Sequence, residues 1–433
     1  MRKKLIGLAL CVGVLLCGCD SLSLNSTNLM HPPKLDSEQQ EIYTALTAVT
    51  GQNVRLRYPA EGEQRRAILK DDLDDDGQME AVVFYQGTDT ASLVRINIME
   101  QQDGSWVSVQ DVSTGHSQLQ SVSIARVFEA GMPALLVTVG DDTKSEEETL
   151  IAYRYRNGRL DSKLEQICVS YIAGEMSEDG VPGLFLIKNS EDGTTELEYY
   201  RSQNFIFTLY QKTALAPLIY TGMLMGCTGD GRKAVFIDGK LDGGVTTQVI
   251  YEQDGRLVNP LYTNNKLKST WRPREIPCMK SDDGTQILIP TLTALPGYER
   301  YKAEEQLFLT RWNSFGDSGL SVQKTQLVST YLGISVDIPE RWLGKVSVKY
   351  LYDTNEVKFF LYDGELKNDG QEYLRVRLFT RNNPRPDDYS SYTALFSEGL
   401  LEYRMLVSGS TDDPLTLSHG EAKSMIRSYR KSY

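Results

Sequence analysis

Five glycines, Gly77, Gly131, Gly180, Gly231 and Gly284, each close a turn ahead of an apolar run, and they stand 54, 49, 51 and 53 residues apart. A period near fifty constrains the fold more than any local propensity, because each repeat has to be one supersecondary unit that buries its face against a neighbour. A second mark recurs inside the units. Asp103-Gly104, Asn157-Gly158 and Asp254-Gly255 lie 27, 27 and 24 residues after their glycines, and Gly316 lies 32 after the last. Asn-Gly and Asp-Gly between apolar runs signal hairpins. In the third unit Ser202-Gln203-Asn204 stands where that turn belongs.

Each unit reads as four short antiparallel strands. In the first they fall at 67–70, 81–86, 93–100 and 106–112, and in the second at 121–127, 134–139, 149–155 and 164–168. Four strands in about fifty residues, repeated in tandem, predict the blades of a β-propeller. The long helical patterns that a parallel α/β sheet needs between its strands are missing. The expected fold is mainly β: a β-propeller of about five four-stranded blades over 52–330, then a small α+β C-terminal domain over 331–433. Five units are countable, and five to seven blades are compatible with closure, since a ring can borrow a terminal strand such as 53–58. Strands of the last domain are expected at 345–352, 357–362, 373–379 and 401–407. A capping box of Ser418 and Glu421 then opens a helix with Ala422, Met425, Ile426 and Tyr429 on its apolar face. Ahead of the repeats, 36–51 reads as a helix capped by Ser37 and Gln40, with Ile42, Leu46 and Val49 on one face and Gly51 at its end.

The stretch Asp72-Leu73-Asp74-Asp75-Asp76-Gly77-Gln78-Met79-Glu80 carries the sharpest chemistry. Carboxylates at loop positions one, three, five and nine, with a glycine after the third, suit a hard cation, and calcium is the natural candidate. A helix-flanked loop of this type would need a glutamate at position twelve, but Val83 is there and a strand has begun. The expected ligands are the side chains of Asp72, Asp74, Asp76 and Glu80 with the carbonyl of Gln78, while Asp75 points to solvent. The ion would be structural, drawing together carboxylates that otherwise repel. Most aspartate runs end as solvated turns; here the spacing, the glycine and the strand boundaries agree.

Residues 72–85 resemble the FG-GAP or VCBS repeat, the calcium-loop propeller unit also found in integrin α-subunits. The likeness covers some 265 residues by period, but only the first unit carries the full acidic motif. The matching loops hold Arg126, Phe128 and Ala130; Glu175, Ser177 and Asp179; Gly226, Thr228 and Asp230; and Met279, Ser281 and Asp283. The resemblance implies one calcium site, a weaker one in the third loop, and turns without an ion elsewhere.

The amino end gives an address. Arg2-Lys3-Lys4 precedes an apolar run over 5–16, too short to span a bilayer as a helix, which reads as a secretory signal. Leu16-Cys17-Gly18-Cys19 resembles the lipobox of bacterial lipoproteins, which implies cleavage before Cys19 and a lipid on its sulfur. Two acyl chains anchor stably, so the mature chain is expected on the extracytoplasmic face of the cell membrane, with 20–35 as a Ser-, Asn- and Pro-containing tether. Loss of three leader cations moves the net charge from -12 to -12 - 3 = -15, a poor surface for nucleic acid. Once Cys11 and Cys17 leave and Cys19 is lipidated, Cys168, Cys227 and Cys278 remain. Three cannot all pair, so they read as buried thiols and not as a disulfide framework. Three scattered histidines give no basis for a zinc or histidine-based catalytic centre.

Twenty-four tyrosines against twelve phenylalanines fit a glycan- or peptide-facing surface, but the strand preference for tyrosine is the plainer explanation. Trp106, Trp271, Trp312 and Trp342 are expected in the core. No nucleophile elbow or phosphate loop is visible. The expected function is a non-catalytic, lipid-anchored binding or scaffold protein, its partner an envelope protein or a cell-wall glycan. The alternative is a propeller-based glycoside hydrolase, which needs two or three carboxylates converging in the central channel.

Overall fold

The structure, a computed structural model, describes residues 35–429 except 52, 88–91, 142–146, 178, 303, 368 and 369. The signal segment, Cys19 and nearly all of the tether lie outside the described residues. The chain is mainly β, built from antiparallel sheets.

Five sheets follow one another along the chain. The second pairs strands Gln118–Arg126, Pro133–Gly140, Glu148–Arg156 and Arg159–Cys168 in that order. The third runs Ser170–Glu175, Pro182–Asn189, Thr195–Gln203 and Ile206–Leu215, and the fourth Ile219–Cys227, Lys233–Leu241, Gly244–Gln253 and Arg256–Val258. In the first sheet, Glu80–Gly87, Val94–Gln102 and Ser105–Ser113 pair in turn, while two short strands, Val54–Leu56 and Ile68–Asp71, share one edge of Glu80–Gly87. The fifth sheet begins Met279–Lys280, Ile287–Ala294, Phe308–Gly316, Gly319–Ser329 and gains two more strands, Ile334–Asp337 and Ile426–Ser428.

All five period-setting glycines fall in the same turn, between the first strand and the long second strand of a sheet, and all have positive φ: 87°, 71°, 72°, 87° and 74° in chain order. This is the left-handed region that glycine enters without a Cβ penalty. The hairpin marks also coincide. In the third unit the turn is made by Asn204 and Phe205 at φ 50° and 60°, so a phenylalanine takes the place of the glycine.

Core clusters show how the sheets stack. Each second strand alternates its side chains between two interfaces. Val82 and Phe84 meet Leu135, Val137 and Val139; Ala134 and Leu136 meet Leu184 and Leu186; Phe185 and Ile187 meet Val235 and Ile237; Ala234 and Phe236 meet Ile287 and Ile289. These strands are buried on both faces, which is why they read as continuous apolar runs. Each fully buried Val, Leu, Ile or Phe contributes roughly 1.5–3 kcal/mol. Among the described residues no core cluster joins the fifth sheet to the first. Instead Ile42 and Leu46 of the N-terminal helix cover Ala81, Val83 and Tyr85, and Ile276 closes over Leu288 and Trp312 on the fifth.

That helix is Ser37–Thr50, with its cap one residue earlier than expected: Asp36 is the cap and Gln39 completes the box. Val49 is 66% exposed, because the first sheet reaches only the Ile42 and Leu46 turns. The C-terminal sheet pairs Val346–Leu351, Glu356–Leu361, Glu372–Thr380, Leu401–Val407 and Thr393–Glu398 in spatial order. The last helix is only His419–Met425, capped by Ser418. Ile426, expected on that helix, instead pairs with Val336 as a strand of the fifth sheet, and Tyr429 follows that strand. The C-terminal core therefore mixes both units, with Leu327, Ile334 and Val336 beside Trp342, Phe359, Tyr373 and Met405. Trp106, Trp312 and Trp342 are buried, whereas Trp271 is 37% exposed. Cys168, Cys227 and Cys278 are free thiols, the first and last buried.

Candidate metal centre

The loop from Asp72 to Glu80 joins Ile68–Asp71 to Glu80–Gly87, two paired strands. Asp72 shapes it by accepting the backbone N–H groups of Asp76 at 3.1 Å and Gly77 at 2.9 Å. Glu80, 3% exposed, accepts the N–H of Leu73 at 2.8 Å and ties the far end back to the start. Ligand oxygens of Asp72, Asp74 and Glu80 lie within 4.8 Å of one another. Asp74 Oδ1 is buried with no hydrogen-bond partner.

The electrostatics match that geometry. Burial pushes the Glu80 carboxyl up to about 7, with the charges of Asp74, Asp76 and Asp72 adding to the rise. Asp74 is also raised, first by burial and then by the charges of Asp76 and Asp72. Three carboxylates that disfavour one another's charge, one with an unpaired buried oxygen, fit an oxygen-seeking cation such as calcium.

Two of the expected ligands stand apart from that trio. Asp76 spends its carboxylate locally, accepting the Gln78 N–H at 2.7 Å and the Gln78 side-chain amide at 3.4 Å. Gln78 is exposed and thereby bound to Asp76. Asp75, expected to face solvent, has φ 59° and holds Arg126 of the second sheet through two bonds of 2.9 and 3.0 Å. Nothing in the local sequence signals that pair, because its partner is 51 residues away.

The equivalent loops use their polar groups for protein contacts. In the third, Lys233 bonds Glu175, the Ser177 hydroxyl bonds Glu252, and Asp179 takes Arg201 at 2.8 Å, so its three oxygen residues, expected to form a weaker site, are committed to protein partners. In the fourth, Arg232 bridges Asp230 and Asp317. In the fifth, Asp283 accepts from Ser281 and Thr285, and Asp282 pairs with Lys324 at 2.8 Å.

A pattern that no local motif signals runs through the second, third and fourth loops: each bonds to the outer hairpin of the next sheet. Glu129 accepts from the Ser202 hydroxyl at 2.9 Å and the Phe205 N–H at 3.3 Å. Ser177 reaches Glu252, and Gly229 donates to the Phe315 carbonyl at 2.7 Å. The candidate metal loop, the first, is tied to the next sheet as well, but by the Asp75–Arg126 ion pair.

No protein-family model matches this chain, and no curated protein matches it. Among solved structures it is similar to the AfRom2 CNH domain, at 11% identity over 83% of this chain and 96% of that one, with a TM-score of 0.31. An exo-β-1,3-galactanase from Phanerochaete chrysosporium shows 9% identity over 82% and 90%, at 0.28. A hypothetical selenium-binding protein from Sulfolobus tokodaii shows 11% identity over 46% of this chain, at 0.28, and the chain spans 54% of that protein. Likenesses at this level show neither a family nor an activity.

Proposed function

We propose that this chain is a lipid-anchored, extracytoplasmic binding or scaffold protein, non-catalytic, whose five sheets are propeller-type blades and whose first loop holds one structural calcium ion. Cys19 carries the anchor. The blades form an arc, with the N-terminal helix at one end and the C-terminal domain at the other. Its partner is an envelope protein or a cell-wall glycan.

The observation that carries this reading is the trio Asp72, Asp74 and Glu80 with the unpaired Asp74 oxygen, set in a loop that also latches to the second sheet. Modules outside the cytoplasm bind calcium at roughly 10⁻⁴–10⁻³ M, and a loop with only three converging carboxylates suits that weak class. The ion then strengthens a contact between sheets, which suits a rigid display surface.

Calcium should raise the melting temperature of the purified protein and chelator should lower it. Asp74→Ala should abolish the response. A melting curve indifferent to both additions removes the ion from the proposal. Cys19→Ser should move the protein from the membrane fraction to the soluble one, and crosslinking on intact cells should capture the partner. Turnover of a glycan by the purified chain would replace this reading with the enzymatic one.

A further inference from the structure

An exposed group of tyrosines lies where the fifth sheet meets the C-terminal sheet. Tyr352, Tyr331 and Tyr301 are 63%, 49% and 46% exposed. The ring centroids of Tyr331 and Tyr352 are 5.1 Å apart at a steep angle, and those of Tyr350 and Tyr352 are 5.9 Å apart and stacked. Tyr298 stands 5.5 Å from Tyr301. These rings are held in place. The Tyr331 hydroxyl bonds the Asn355 side chain at 2.6 Å, and the Tyr298 hydroxyl bonds the Val348 carbonyl at 2.9 Å. Tyr298 and Tyr350 are partly buried against the C-terminal core and support the exposed rings.

Beside Tyr301 opens a cleft of about 620 Å³, walled by Glu299, Arg300, Tyr301, Tyr362, Glu365 and Lys367. Gly297 sets its width: its φ is +90°, and a Cβ there would come within 2.7 Å of Tyr362 and Leu366. Two acidic and two basic side chains leave the cleft without net charge.

We propose that this surface binds a neutral oligosaccharide. Tyrosine rings held by their neighbours accept the C–H faces of sugar rings at little cost in side-chain entropy, and Tyr301, Tyr331 and Tyr352 are exposed enough to offer that contact. The balanced ionic groups of the cleft offer donors and acceptors to hydroxyls without selecting a charged ligand. A polyanion is disfavoured by the chain's net charge of -12. An apolar partner would strip water from these ionic side chains without replacing it. The site lies far along the chain from the metal loop and does not depend on calcium. It gives the proposed binding role a ligand class.

The test is calorimetric titration of the full chain, anchor residue replaced, with cellohexaose, chitohexaose and mannohexaose, and with polygalacturonate as the charged comparison. At least one neutral hexaose should bind. Tyr352→Ala should weaken it about tenfold, whereas Tyr352→Phe should hold it within about twofold, as expected when the ring face carries the contact. Tyr352 is exposed enough for both variants to keep the parent melting temperature, and chelator should leave the affinity unchanged. No binding by any neutral hexaose at millimolar concentration, equal affinity in Tyr352→Ala, or tighter binding of polygalacturonate than of every neutral sugar would overturn the proposal. A chelator-sensitive melting curve alongside any of these would leave the calcium reading standing.

Discussion

Asp74 and Glu148 are two carboxylates placed where their charge is unwelcome, with opposite remedies. Around Asp74 the proposed calcium ion would answer the repulsion. At a hundredfold excess over its Kd, a ligand that binds only the folded state adds roughly 2.7 kcal/mol, and that is the scale of the calcium response Asp74→Ala should lose. Around Glu148 a proton is the remedy: burial first, and then the Glu61 carboxylate, push its carboxyl up to about 7, against a hydrogen bond from Thr138. Its folded form holds the proton more tightly than the unfolded form does. Its contribution is therefore fully present below the usual glutamate range, near pH ~4.3, and is lost as pH rises through about 7. Glu148→Gln should raise the melting temperature at pH 8 relative to the parent while leaving it nearly unchanged at pH 5, as measured by calorimetry across that range. The convergence of Asp72, Asp74 and Glu80 was partly legible in the sequence, since alternation of Asp72 and Asp74 with a glycine at 77 is a local property. The Asp75–Arg126 pair and the withdrawal of Asp76 to Gln78 were not, because they depend on a neighbouring sheet and on which rotamer competes best for a backbone N–H.

At the scale of elements, the turns and central strands were readable because two local demands leave marks: a positive φ selects glycine, and burial on both faces selects an apolar run such as residues 234–237. The latches leave no such mark. Glu129 sits in a short turn and looks like any surface glutamate, yet it holds Ser202 and Phe205 of the next sheet. Loss of those charge-assisted bonds should cost about 1–3 kcal/mol, so Glu129→Ala should lower the urea midpoint without altering the calcium response. A Glu129→Ala midpoint equal to the parent's would show that the hairpin turns merely rest on the loops. Strands were expected at 53–58 and 67–70, but not that residues 54–56 and 68–71 take successive parts of one edge of the same strand, and nothing between them announces it.

For the whole molecule, the boundary expected near residue 330 runs through a core and not between two of them. Leu327 and Ile334 pack with Trp342 and Met405, so the fifth sheet and the C-terminal domain should unfold together. A chain ending at residue 330 should lose the cooperative transition of its fifth sheet in calorimetry, with each orphaned buried side chain forfeiting roughly 1.5–3 kcal/mol; an unchanged transition would make the two independent. The return of Ile426–Ser428 to Ile334–Asp337 has a further consequence during synthesis. The 88 residues from 338 to 425 separate the partners, and a ribosome adds them in about 4–18 s. Over that interval the nascent sheet shows an open edge to other copies and to any chaperone that meets the chain. That edge is a client surface for as long as the closing strand has not arrived.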